Sequence, residues 1–245
     1  MALVECEVED GLVTLTLNRP ETLNALNPAL FIELREHIDR IAATPDEIGC
    51  VIIQGNGRSF SAGNDLKAIQ SGERAPSPRF QAETLDAIEA MPQPVIFAVQ
   101  GHCYTGALEL ALAGDLMICA DNARFSDTHG TWGMSPTWGM SQRLPRRIGL
   151  LAAKEMMFSA RVIGGEEAVQ LGLANKVVPD DQLAQEAIAM ARGFLDNSWH
   201  TLRSDKMLVN AGRNLGLEES LEFERQNSRS GDDMAERLAG FSKGG

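Results

Sequence analysis

The 245-residue chain holds only four cysteines, Cys6, Cys50, Cys103 and Cys119, with no CxxC spacing among them. That scarcity excludes a disulfide scaffold and a cysteine-built metal centre, and it fits free thiols in a reducing cytoplasm. The 4 histidines are dispersed and add no ligand spacing, so no metal is expected. Positive charge is scarce as well: 22 Lys and Arg against 34 Asp and Glu leave a net charge of -12. A field of that sign repels nucleic-acid backbones and anionic lipid surfaces, so neither nucleic acid nor membrane is expected as a partner. Long hydrophobic runs are missing too. The most apolar stretch, Pro94 to Ala120, is broken by His102, Glu109 and Asp115, short of the roughly 20 apolar residues a spanning helix needs. The opening MALVECEVEDG is acidic and has neither the basic start nor the apolar stretch of a signal peptide, which points to a cytoplasmic protein.

What remains is an ordinary globular composition, 44% hydrophobic and 23% charged, long enough for one large core. Short β-branched segments (LVTLTL from Leu12, CVIIQG from Cys50, VIFAVQG from Val95, DLMICA from Asp115, NKVVP from Asn175) are separated by helical stretches, which predicts an α/β fold. From Pro28, apolar residues at Leu30, Phe31, Leu34, Ile38 and Ile41 have helical spacing, and the helix should stop before Pro45. The polar SGERAPSP from Ser71 reads as a surface loop suited to a flap, followed by a helix from Phe80 to Met91. After Pro179 strand signals vanish, so the expected organisation is an α/β core over residues 1–185 and a helical appendage over 186–245. The doubled TWGMS at Thr131 and Thr137 is too short for a solenoid. Its Trp132, Met134, Trp138 and Met140 read most simply as core.

Two glycine-bearing turns follow strand signals: QGNGRSFSAGNDLKAI from Gln54 and VQGHCYTGALELALAGDL from Val99. Neither is a GxGxxG, a P-loop or a GxSxG elbow, which removes support from dinucleotide, nucleotide-phosphate and serine-hydrolase readings. Both would present backbone N–H groups at a helix start, the requirement for holding an oxyanion that forms during reaction. His102 reads as a satisfied turn histidine, and His37 and His200 fall in helices without an assigned role.

In order along the chain, LNRPETLNALN from Leu17, FSAGNDLKAI, PVIFAVQGHCYTGALELALAGDLMICADNARF, QRLPRRIG and EAVQLGLANKVVP resemble the enoyl-CoA hydratase/isomerase (crotonase) superfamily over almost the whole length. The resemblance implies a crotonase-like spiral of repeated ββα units with helical C-terminal trimerisation through residues 186–245, as a homotrimer or a dimer of trimers. It implies an acyl-CoA substrate, with coenzyme A as part of that substrate and no cofactor required. The oxyanion donors would be the N–H groups of Asn64 and Gly106. Glu109 matches the first catalytic glutamate of the hydratases, and His129 stands where the second would be. Thr105-Gly106-Ala107 replaces a frequent Gly-Gly-Gly and keeps the middle glycine. Thr137 occupies a position that is aspartate in some dienoyl isomerases and dehalogenases, which counts against those reactions. The coenzyme would lie along Ala25, Leu26, Ala62, Asp65 and Leu66, mostly on backbone groups, with Arg19 and Lys67 as phosphate partners and Phe241 or Lys243 reaching a neighbouring subunit. Asp127 lies two residues from His129, sharing its face if the segment is a strand and pairing with it if it is a turn.

The expected activity is hydration of a 2-enoyl-CoA to a 3-hydroxyacyl-CoA through an enolate. The alternatives are another crotonase-type reaction (isomerisation, decarboxylation or C–C hydrolysis) or a non-catalytic acyl-CoA-binding subunit.

Overall fold

The computed structural model describes residues 2–241. A hairpin of β1 (Val4–Glu9) and β2 (Leu12–Leu17) leads into α1 (Pro28–Ala42), then β3 (Cys50–Gly55), α2 (Leu66–Ser71) and α3 (Phe80–Ala90). The centre of the chain runs β4 (Val95–Val99), β5 (His102–Tyr104), α4 (Gly106–Leu112), β6 (Leu116–Ala120), β7 (Arg124–Ser126), α5 (Met140–Ile148) and α6 (Leu150–Ser159). It closes with β8 (Ile163–Gly164), α7 (Gly165–Gln170), β9 (Lys176–Val178) and four helices: α8 (Leu183–Leu195), α9 (Trp199–Gly212), α10 (Leu217–Asn227) and α11 (Met234–Phe241).

The strands form two sheets. Six, in the order β1-β2-β3-β4-β6-β9, make the large one, parallel apart from the β1–β2 hairpin. Three, β5-β7-β8, make the small one. Successive units cross from the large sheet to the small one and return through helices: β4-β5-α4, then β6-β7 with α5 and α6. This is the repeated ββα course expected from the sequence.

Alternation along each strand divides the core in two. Val13, Leu15, Val51, Ile53, Val95, Phe97 and Val99 face α1, α3 and α4. Leu12, Cys50, Ile52, Ile96, Ala98 and Ile118 face the opposite side, where Leu183, Ala187 and Ala191 of α8 cover them. The expected boundary between residues 185 and 186 therefore falls inside α8, which packs as part of the core. Helices α9 and α10 bury no residue fully, although Trp199 and Lys206 of α9 reach Gly49 and Asp115 on the core.

Helix α1 follows its periodicity: Asn27 caps it by accepting from the Leu30 N–H, Pro28 fills the first turn, and all five apolar positions are buried. No helix among the described residues is long and apolar enough to cross a membrane.

Candidate active site

Two loops meet between the sheets. After β3 the chain passes beside β5: the Ser61 N–H donates to the His102 carbonyl (2.9 Å), and Tyr104 returns a bond to Ser61 (3.4 Å). Buried Asn24 anchors the same loop from below, its amide donating to the carbonyls of Asn56 and Ser59, both at 2.9 Å. Gly63 has φ +96, and a Cβ there would sit 2.5 Å from the Tyr104 carbonyl and 3.6 Å from the Gly106 nitrogen. Only glycine lets the two loops approach this closely. The approach brings the Asn64 loop against Gly106, and among the described residues neither of those N–H groups has a protein acceptor.

Gly106 is held on its other side. A Cβ there would lie 2.6 Å from the Trp138 ring, which packs edge-on to Phe31 with centroids 5.1 Å apart. Trp138 is thus half-buried at the site. The reading of the doubled TWGMS as core holds for Met140, which is buried, but not for Trp132, which is 57% exposed. Two prolines and three glycines between Ser126 and Gly149 interrupt regular packing there.

Glu109 projects from the first turn of α4 and is only 1% exposed. Its Oε1 accepts from the N–H groups of Trp138 and Met140, both at 3.0 Å. Its Oε2 faces His129 Nε2 at 3.8 Å. The other imidazole nitrogen, Nδ1, lies 2.6 Å from Asp127 Oδ1, which also accepts from the His129 N–H at 3.1 Å. Strand β7 ends at Ser126, so Asp127 and His129 sit on a turn and pair there. Buried Asp127 is a site residue for which two-residue spacing was the only sequence signal.

Both titrating groups are displaced upward. Burial is the main force raising the Glu109 pKa above 4.5; the two N–H bonds and His129 pull it down, and the Asp127 charge pushes it further up. Burial disfavours a charge on His129, but the Asp127 hydrogen bond and charge, with Glu109 behind them, prevail and lift its pKa above 6.5. With Nδ1–H directed at Asp127, the charged imidazole presents Nε2–H toward Glu109, and the neutral one presents a lone pair.

The segment assigned to coenzyme binding adjoins Asn64. Leu26 is bridged to Asn64 as a short parallel pair, its N–H donating to the Gly63 carbonyl and its own carbonyl accepting from Asp65. Asp65 caps α2 by accepting from the N–H groups of Lys67 and Ala68. Its other oxygen pairs with Arg19 at 2.9 Å, and Arg19 also donates to the Ala25 carbonyl. One guanidinium nitrogen of Arg19 is therefore engaged in holding the loop. Ala25 and Ala62 are half-buried beside this bridge, and Leu66 and Lys67 are exposed. His102 bonds Ser59 at 2.9 Å but lies on strand β5 rather than on the expected turn, and Thr137 is exposed. Lys243 and the side chain of Phe241 lie outside the described residues. No group of three or more His, Cys, Asp or Glu residues that could hold a metal ion occurs among the described residues.

The enoyl-CoA hydratase/isomerase family model matches residues 7–243. A probable enoyl-CoA hydratase of Mycobacterium tuberculosis is 36% identical over 245 residues, covering 98% of this chain and 93% of its own. The crotonyl-CoA hydratase of Syntrophomonas wolfei is 34% identical, over 89% of this chain and 85% of its own. Among solved structures, an enoyl-CoA hydratase from Bacillus anthracis superposes with a TM-score of 0.93 at 32% identity, covering 98% of this chain and 96% of that one.

Proposed function

The chain belongs to the enoyl-CoA hydratase/isomerase family, and from that premise we propose that it is a hydro-lyase adding water to a 2-enoyl-CoA thioester to give the 3-hydroxyacyl-CoA. The observation that carries this reading is Glu109 Oε2 and His129 Nε2 at 3.8 Å, beside two N–H groups without a protein acceptor. That separation is too long for a direct hydrogen bond, and a water placed about 2.8 Å from each atom bridges it.

The thioester oxygen accepts from the N–H groups of Asn64 and Gly106. Glu109 takes a proton from the bridging water as its oxygen bonds to C3, and the C2–C3 π electrons move toward C2 while charge builds on the thioester oxygen. Protonated His129 then gives its Nε2 proton to C2. Glu109 is left as the acid and His129 as neutral imidazole, and the proton returns from one to the other across the same gap. Asp127 holds the imidazole in this orientation and supports its charge.

Coenzyme A, carried by the substrate, would rest on Ala25, Ala62 and Leu66, with Leu26 and Asp65 shaping the wall through the bonds already described. No cofactor enters the reaction as written. The four free thiols suit a reducing, cytoplasmic setting. Exposed apolar residues on α6 and α9–α10 suit assembly into a homotrimer or a dimer of trimers.

The test is incubation with crotonyl-CoA and a longer 2-enoyl-CoA, following loss of the conjugated thioester absorbance together with product mass. The expected product is heavier by one water. An unchanged mass with a moved double bond replaces hydration by isomerisation, and unreacted substrate overturns the proposal.

A further inference from the structure

Thr105, immediately before Gly106, has φ 50 and ψ -107. Glycine enters that region freely, and a β-branched residue rarely does. Buried Thr105 is held there by three hydrogen bonds to the segment that leads into His129, while its carbonyl accepts from the Glu109 N–H at 2.9 Å. Its N–H donates to the Ser126 carbonyl at 2.8 Å, its Oγ1 lies 2.5 Å from Thr128 Oγ1, and the Thr128 N–H donates to Thr105 Oγ1 at 3.0 Å. The peptide unit between Thr105 and Gly106 is planar, so the ψ of Thr105 sets the direction of the Gly106 N–H. The Trp138 ring closes the side of Gly106 on which a Cβ would stand.

We infer that Thr105 and Thr128 are positioning residues, a hydroxyl pair that aims the Gly106 N–H at the thioester oxygen and ties that donor to the turn carrying Asp127 and His129. One four-residue segment, residues 126–129, then sets both the oxyanion donor and the proton donor. The Ser126 carbonyl and Thr128 bond Thr105, and Asp127 and His129 pair with each other. A glycine at position 105 would reach the same φ without strain and keep the backbone bond to Ser126, but it would lose both bonds to Thr128. The inference rests on the reading that the Gly106 N–H holds an enolate oxygen, and it does not depend on which bond is made afterwards.

The test compares wild type with Thr105→Val, Thr105→Ser, Thr105→Gly and Thr128→Val in two assays. The first is hydration of crotonyl-CoA. The second is the ultraviolet enolate band of a bound 3-ketoacyl-CoA, which needs the oxyanion donors but no water addition. In Thr105→Val and Thr128→Val, kcat should fall about 10- to 100-fold, a part of the roughly 100- to 1000-fold cost of deleting a whole donor. KM should stay within about twofold, and the enolate band should weaken in parallel. Thr105→Ser, which keeps the hydroxyl, should recover most of both signals, and Thr105→Gly, which relieves the strain and keeps only the backbone bond to Ser126, should fall between the serine and valine variants. Thr128→Val carries the test if Thr105→Val does not fold. Wild-type kcat and enolate band in the two valine variants, with only a lowered Tm, overturn the inference. If wild type enolises the ketoacyl thioester without hydrating crotonyl-CoA, the hydratase reading fails, and the enolate assay alone decides the role of the pair. If wild type does neither, both fall.

Discussion

Glu109 is the residue on which the proposed chemistry turns, and its environment differs from that of a carboxylate held in a structural ion pair. It has no Lys or Arg partner among the described residues. It accepts two backbone N–H bonds on one oxygen and turns the other toward His129. Glu109→Gln keeps an acceptor for Trp138 and Met140 and removes the base. Turnover of crotonyl-CoA should therefore fall about 100- to 10,000-fold, with no drop in Tm by calorimetry. The pH dependence follows from the two displaced groups. The proposed mechanism needs Glu109 ionised and His129 protonated, so kcat/KM should be bell-shaped, its acid limb above 4.5 and its alkaline limb above 6.5. Because Asp127 supports the imidazolium, Asp127→Asn should move the alkaline limb to lower pH. The same pair makes a stability statement: a folded-state pKa raised above the unfolded value contributes stability that is full below 6.5 and lost as pH rises through the folded value. Asp127→Asn should flatten the slope of Tm against pH in that window. An alkaline limb that does not move in Asp127→Asn would separate Asp127 from the titration of His129.

At the scale of elements, the site is a meeting of loops held by short strands and caps. Helix α2 begins at Asp65, whose carboxylate takes two N–H bonds and the Arg19 guanidinium. Burial works against that charge, but Arg19 and the cap bonds overcome it and hold the carboxyl below its usual range. Asp65→Ala should cost about 1 kcal/mol of stability through the lost cap. By loosening the Leu26–Asn64 bridge it should raise KM for the CoA thioester more than it lowers kcat, a split that steady-state kinetics resolves. Strands β5, β7 and β8 are three residues or fewer and left no periodic trace in the sequence. They exist because neighbouring strands in space supply their hydrogen bonds. Helix α8 shows the opposite: its pattern announced a helix, and only the apolar sheet face it covers makes it part of the core.

Over the whole molecule, the apolar surface is distributed unevenly. On α6, Leu151 is 84% and Phe158 82% exposed; seven residues apart on one helix, they share a face. On α9 and α10, Val209, Leu217 and Leu221 are exposed as well. These exposed apolar faces on α6, α9 and α10 are where the proposed contact with another copy would form. Leu151→Glu combined with Phe158→Glu should shift the protein toward monomer by light scattering at unchanged secondary structure. An unchanged mass would place the subunit contact elsewhere.

The sequence by itself determined the fold class, the family, the helix from Pro28, the five strands rich in β-branched residues, and the types and order of the groups proposed for chemistry. Each of these depends on local periodicity or on motif order, which the linear chain carries. Only the tertiary structure decided that Asp127 pairs with His129, that Arg19 serves Asp65, that α8 is core, and that Thr105 is clamped by Thr128. These are contacts between residues as far apart as α8 and β2, more than 160 positions along the chain, or choices between strand and turn geometry. Their free energy comes from partners that the local sequence does not name.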